Sequence, residues 1–395
     1  MAIKQLSVAF VHYPRAVEYA LLESMPFGLN IVRALDKTAH IDLDLFLWEK
    51  DVDNYREYFS DETRICSLGS CAPFRIIKRK QDWLNYLNRP FIRLEIARQK
   101  KFDCVIGLGQ IGIYIASILA RHSNAPYVYI NDEFPSSYNI SHNSYWNRTE
   151  RDAVCSASLL IAPDEQRIRQ LCQELELDSE QVAAAVVPNA ITLDAPIPDI
   201  DWQERLGLPK DCIPLLHAGS VSDWAQVPEI LGSMPYWPER AVLIINGRTP
   251  VSDSYKREIT HLVTSGRVFW TEQPLRDDEL NSLVSYAAGS FGLYRDLGDN
   301  IRYIGWSSGK ILRSIICGRP VIASCLPSLQ FIEEHQLGCL VTHPAEIPAA
   351  VEKLVKNREA YANNCQQYAK EYLDFDKCWA RACQHLQEIS GLILR

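Results

Sequence analysis

Strand-like apolar runs alternate with helical patterns along this whole chain, and a single break divides them into two series. The first series places strands at residues 6–11, 41–48, 103–108, 127–131, 159–162 and 185–187, with helical patterns at 28–36, 111–121, 147–155 and 165–175. The break follows Pro188, where Pro196, Pro198, Asp199 and Asp201 read as a linker. The second series places strands at 213–217, 241–246, 267–270, 290–294, 320–323 and 338–341. Such alternation predicts mostly parallel sheets covered by helices. It therefore predicts two consecutive doubly wound α/β units, whose ligands bind outside the carboxyl ends of the strands. Residues 352–395 read as helical.

Composition narrows the classes. With 395 residues and 47% hydrophobic content the chain has material for two or three cores. A formal charge of −8 argues against a general nucleic-acid binder. The 12 cysteines are scattered without a C-x-x-C pair or a zinc spacing, the usage of a reducing cytosol. The first apolar run is too short and too β-like for a signal peptide, so the expected location is cytoplasmic.

The most telling local stretch is NIRYIGWSSGKILRSIICGRPVIAS, residues 300–324. Ile311, Leu312, Ile315 and Ile316 recur at helical spacing, with Ser307, Ser308, Gly309 and Lys310 at the helix start. Unsatisfied N–H groups and the positive dipole end make such a start a phosphate site. Lys310 and Arg313 lie off the apolar stripe and offer two cations. The same residues also fit an ordinary α/β turn, with Gly318 ending a helix and Pro320 preceding a strand.

This stretch resembles the donor-binding helix of GT-B glycosyltransferases, above all the retaining group 1 (GT4-like) family, through Cys317-Gly318-Arg319-Pro320-Val321-Ile322-Ala323-Ser324. Further likenesses follow in the family's order. Tyr127 to Pro135 resembles a first-domain strand ending in "H-D-x-F-P", and Val186-Val187-Pro188-Asn189-Ala190-Ile191 resembles its linker. Leu215 to Ser220 resembles the glycine loop that approaches the donor phosphates. The resemblance implies a GT-B α/β architecture of two Rossmann-like domains with an interdomain cleft. It implies an acceptor-side domain over residues 1–190, a donor-binding domain over 191–370, and a C-terminal helix, 371–395, packed back on the first. It also implies hexosyl transfer from a nucleoside diphosphate-sugar to a hydroxyl acceptor (glycan, lipid-linked or small-molecule), with retention and without a bound metal or cofactor.

On that resemblance the donor and phosphate residues are Gly219, Ser220, Arg248, Asn300, Ser307, Ser308, Gly309 and Lys310, with Arg295 a further candidate. Asp132 and Glu133 follow a buried-looking strand and are the catalytic candidates, while His12 and Asn131 lie on the acceptor side. Each also fits a plain reading as a solvated turn or loop residue. Departures from the family are specific. Its flanking glutamates align with Gly305 and Arg313, its first-domain histidine with Asn131, and the lysine after the glycine loop is absent. They leave open a non-catalytic sugar-nucleotide or glycan-binding protein; a sugar-nucleotide epimerase shares the two-domain plan but calls for a fuller set of carboxylates and histidines than this sequence offers.

Four D-x-D triplets occur, among them Asp42-Leu43-Asp44, which reads as the exposed face of a strand, and none is assigned to metal. The segment from Arg75 to Lys101 is basic and interleaved with Trp83, Tyr86 and Phe91. It fits peripheral contact with an anionic membrane face, a solvated helix packed by its aromatics, or attraction of an acidic glycan.

Overall fold

A computed structural model describes residues 5–13, 26–47, 53–68, 93, 96, 98–131, 133–134, 145–247, 252–263, 266–271 and 275–391. The chain forms two compact units, Met1–Asn189 with Asp376–Arg395, and Ala190–Phe375.

The first unit is built on a seven-stranded parallel sheet of order β3-β2-β1-β4-β5-β6-β7. Its elements are β1 (Leu6–His12), α1 (Pro26–Asp36), β2 (Ile41–Leu47), β3 (Arg64–Ser67), β4 (Cys104–Leu108), α2 (Gly109–Ser123), β5 (Tyr127–Ile130), α3 (Tyr145–Ser156), β6 (Leu159–Ala162), α4 (Glu165–Glu174) and β7 (Ala184–Val186). Strand β1 is apolar on both faces because helices cover both sides, the pattern of buried parallel strands. Helix α2, GQIGIYIASILARHS, is apolar nearly all round and buried along most of its length. It ends at Asn124, which takes the left-handed conformation and returns its N–H to Ala120 and Arg121.

One strand is added to the expected set here, and one expectation is corrected. Strand β3 was not legible as a strand; it is a four-residue edge in which Arg64 stands directly opposite Asp44. Asp44 is not exposed but fully buried, paired with Arg64 and, at 3.1 Å, with Lys100. Lys100 also pairs with Asp42. The pairings let a carboxylate enter the sheet, and they bind one cation of the basic segment. Most of that segment lies outside the described residues; Arg93, Arg98, Lys100 and Lys101 are exposed.

The second unit carries a six-stranded parallel sheet of order β10-β9-β8-β11-β12-β13. Its elements are α5 (Trp202–Leu206), β8 (Ile213–Gly219), α6 (Val227–Ser233), β9 (Ala241–Gly247), α7 (Asp253–Ile259), β10 (Val268–Trp270), α8 (Asp277–Tyr286), β11 (Gly289–Gly292), α9 (Asp299–Arg302), α10 (Gly309–Ile316), β12 (Val321–Ser324), α11 (Phe331–Glu334), β13 (Gly338–Val341) and α12 (Ile347–Tyr372); the helix that follows, α13 (Phe375–Ser390), is counted with the first unit. Alternate residues of one strand enter different cores. Leu215 packs with Leu243, Phe291 and Ile322, whereas Leu216 packs with Ile244 and Leu283. A third cluster joins Val321 and Ala323 to Ile311, Leu312 and Ile315 of α10. Burial of those three α10 side chains contributes about 1.5–3 kcal/mol each.

The proposed linker is also corrected. It contains α5, capped by the Asp201 side chain on the Glu204 N–H and closed by left-handed Gly207. Trp202 within it is fully buried and donates to Ser282 at 2.9 Å. Among the described residues no helix is long and apolar enough to cross a membrane.

Candidate donor and acceptor sites

In each sheet the chain first builds outward one way and then returns to build the other way. The reversal leaves a switch point between β8 and β11 in the second unit, and between β1 and β4 in the first. Crevices at the carboxyl ends of such strand pairs are where open α/β sheets bind ligands.

In the second unit β8 ends at Gly219, whose φ of 126° lies where side chains are strained. A Cβ there would sit 3.8 Å from the Lys310 side chain. Beyond β11 comes Tyr294, and the Lys310 ammonium lies 4.3 Å from its ring centroid. Part of Lys310 remains accessible to solvent. Desolvation of the ammonium nevertheless lowers its pKa from 10.5 to about 7. Beside it, His217 is fully buried, and burial followed by the Lys310 charge holds its pKa down at about 3. Neutral His217 directs Nε2 at the Ser220 carbonyl, 3.0 Å away, and fixes the turn after Gly219. Trp224 stacks on Tyr294 with ring centroids 5.9 Å apart.

Ser308 is the N-cap of α10. Its hydroxyl accepts from the Ile311 N–H and meets the Tyr294 hydroxyl at 2.6 Å. It is nearly fully buried, so it shapes the turn while Gly309 and Lys310 form its half-buried outer part. The donor candidates Gly219, Ser220, Ser308, Gly309 and Lys310 thus gather around His217 and Tyr294. Ser307 precedes this turn, and Asn300 lies on the short helix α9. Arg248 lies outside the described residues. Arg295 is drawn to Glu229. Arg313 does not join Lys310 as a second cation: it donates to the Asn281 side chain at 2.8 Å and to the Asp277 carboxylate at 3.0 Å on α8.

In the first unit His12 ends β1 in register with Leu108 of β4, and its side chain is buried. The turn from β4 into α2 reads Gly107-Leu108-Gly109-Gln110-Ile111-Gly112, a G-x-G-x-x-G run that the sequence reading passed over. A Cβ on Gly112 would approach the Val11 carbonyl to 2.9 Å, so the helix start is pressed onto the end of β1. Asn131 is buried and donates to the Tyr129 hydroxyl at 3.1 Å and to the Glu133 carbonyl at 2.9 Å. Tyr129 in turn donates to buried Glu150, which also accepts from Gln110 at 2.6 Å. This network anchors the loop after β5 to α2 and α3. Arg167 of α4 lies 4.2 Å from the Phe134 ring centroid and supports the same loop. Glu133 is half-buried; Asp132 lies outside the described residues.

No family model matches the chain, and neither does any curated protein. Solved structures match it over nearly its full length. HepE from Anabaena, in a crystal structure with UDP and glucose, aligns with a TM-score of 0.70 at 15% identity, over 97% of this chain and 100% of that one. Sucrose-phosphate synthase from Thermosynechococcus elongatus aligns with a TM-score of 0.74 at 17% identity, over 98% and 99%. The chain has the GT-B fold. WaaG, a glycosyltransferase involved in lipopolysaccharide biosynthesis, aligns with a TM-score of 0.64 at 15% identity, over 98% and 100%. The two switch points are thus those of a GT-B protein, one in each sheet. The GT-B resemblance noted at residues 300–324 falls on α10 and β12, which border the second of them.

Proposed function

We propose that this chain is a glycosyltransferase moving a sugar from a nucleoside diphosphate-sugar to a hydroxyl acceptor. One observation carries the reading: Gly219, His217, Tyr294 and Lys310 meet at the switch point of the six-stranded sheet. A side-chain-free turn lets backbone approach an anion, and a desolvated ammonium faces it. HepE, of like fold, has been crystallised with UDP and with UDP-glucose, which supports a donor of that class.

In the proposed reaction the bond from the anomeric carbon to the diphosphate breaks, and negative charge grows on the leaving oxygen. Lys310 and the first turn of α10 stabilise that charge, with Arg248 and Asn300 completing the donor contacts. The acceptor oxygen bonds to the anomeric carbon, and its proton passes to a carboxylate, Asp132 or Glu133. His12 and Asn131 shape the acceptor side. Transfer proceeds with retention and without a resident metal. The enzyme works in the cytoplasm on a sugar, lipid-linked or small-molecule acceptor, and the basic segment between Arg75 and Lys101 rests on the inner membrane face.

Arg313 favours a second reading. Where the GT-B resemblance places a glutamate, this chain has an arginine tied to Asp277 and Asn281, and the loss of that donor contact motivates a protein that binds sugar nucleotides without turning them over. Nucleotide release from a panel of nucleotide-sugars, with and without acceptor extracts, separates the two. The transferase reading requires acceptor-dependent release. Binding without release under every condition selects the second reading, and absence of binding removes both.

A further inference from the structure

At the other end of the six-stranded sheet, a cavity of about 440 Å³ opens beneath the amino ends of β8, β11 and β12. Cys212, Pro214 and Tyr286 form part of its wall, and Arg319, Arg358 and Glu359 bring charge to it. Arg319 follows the Gly318 turn that ends α10 and is half-buried. Its Nε is buried without a hydrogen-bond partner. Among the described residues no carboxylate lies within salt-bridge distance of either arginine, and neighbouring Glu359 bonds to neither. Burial and the charge of Arg358 both hold the Arg319 guanidinium below its ordinary pKa.

Two guanidinium groups line one cavity with no carboxylate among the described residues paired to either, Glu359 at its wall included, and their mutual repulsion is one that an anion would relieve. Arginine's planar fork suits phosphate oxygens. The volume is that of a small-molecule site, large enough for a phosphate carried on a small organic group. The donor region lies at the opposite ends of β8 and α10 and does not include this cavity. We propose that Arg319 and Arg358 form a second anion site, which binds a phosphate group, free or as the monoester of a small metabolite, away from the donor site.

Thermal unfolding of the intact chain tests this in sodium phosphate, in glucose 6-phosphate and in sodium chloride at matched ionic strength. The expected result is a saturable rise of about 2–4 °C with a phosphate compound and none with chloride. The exposed substitution Arg358→Gln should abolish the rise, and Arg319→Gln should do the same where it folds. Lys310→Ala should leave the rise intact, because that lysine belongs to the other end of the sheet. A lower half-saturating concentration for glucose 6-phosphate identifies a monoester site, and the reverse order identifies a free-phosphate site. A rise that follows ionic strength alone overturns the proposal. So does one that survives Arg358→Gln, one lost with Lys310→Ala, or no rise at all.

Discussion

Lys310 holds an ammonium against an aromatic face and a buried imidazole, where water cannot fully solvate it, and this makes its charge depend on pH near neutrality. A diphosphate bound there, as proposed, would favour the charged form, so its binding above pH 7 would require proton uptake. A nucleoside diphosphate-sugar is suited to the test because its diphosphate does not itself titrate there. Its Kd should rise by up to about tenfold per pH unit above 7. Calorimetry in buffers of different ionisation enthalpy should register the proton taken up. Lys310→Ala should flatten that profile and weaken binding by about 1.5–3 kcal/mol. An unchanged affinity would remove Lys310 from the site. Stability follows the same linkage with a definite sign. Between pH 7 and 10.5 the unfolded chain binds the Lys310 proton and the folded chain releases it, so stability rises with pH across that window. The wild type should therefore gain on Lys310→Met in urea midpoint between pH 7 and pH 10. At this scale the sequence revealed the lysine and the serines, since they sit on one helix start. It did not reveal His217 and Tyr294, because their convergence is created by strand order and not by spacing along the chain.

At the scale of elements, α10 is held from two sides, and the two attachments can be separated. Its apolar face enters the core with Val321 and Ala323, while Arg313 ties it to α8 through Asp277 and Asn281. Asn281 is buried, so Arg313→Ala leaves its side-chain oxygen without that partner. The expected loss is about 1–3 kcal/mol in urea unfolding, with donor Kd changed less than about threefold. A large fall in donor affinity would instead make Arg313 a donor ligand. In the first unit Gly112→Ala would push a methyl group against the Val11 carbonyl, at a cost of about 1–3 kcal/mol measured by the same denaturation. Retained stability would show that α2 can slide away from β1. Long apolar runs such as those of β1, β4 and β8 were legible because burial on both faces demands them. Strand β3 was not, because RICS is short, at an edge, and gains its place from the Arg64–Asp44 pair. Helix α5 was hidden behind prolines, although Asp201 and Gly207 already supplied both its caps.

For the whole molecule, two parallel sheets each carry one reversal of strand order, and each reversal gathers a different chemistry. In the second unit it gathers a desolvated lysine, a neutral histidine and a helix start. In the first it gathers buried His12, the glycine turn into α2, and a carboxylate network through Glu150, Tyr129 and Asn131. The two-unit α/β plan was legible because alternation of strand and helix is repeated along the chain. The division of chemistry was only partly legible, since the glycine run at residues 107–112 stands in the sequence, but its contact with β1 and the Glu150 network emerge from packing. If the first reversal serves the acceptor and the second the donor, occupancy of each should be readable separately by amide hydrogen exchange. A nucleoside diphosphate should slow exchange at residues 217–224 and 305–312 and leave residues 107–112 and 129–134 unchanged. Addition of an acceptor that supports turnover should then protect the latter group. Protection of residues 107–112 by nucleotide alone would mean that the first unit binds the donor, and the assignment of the two sheets would have to be exchanged.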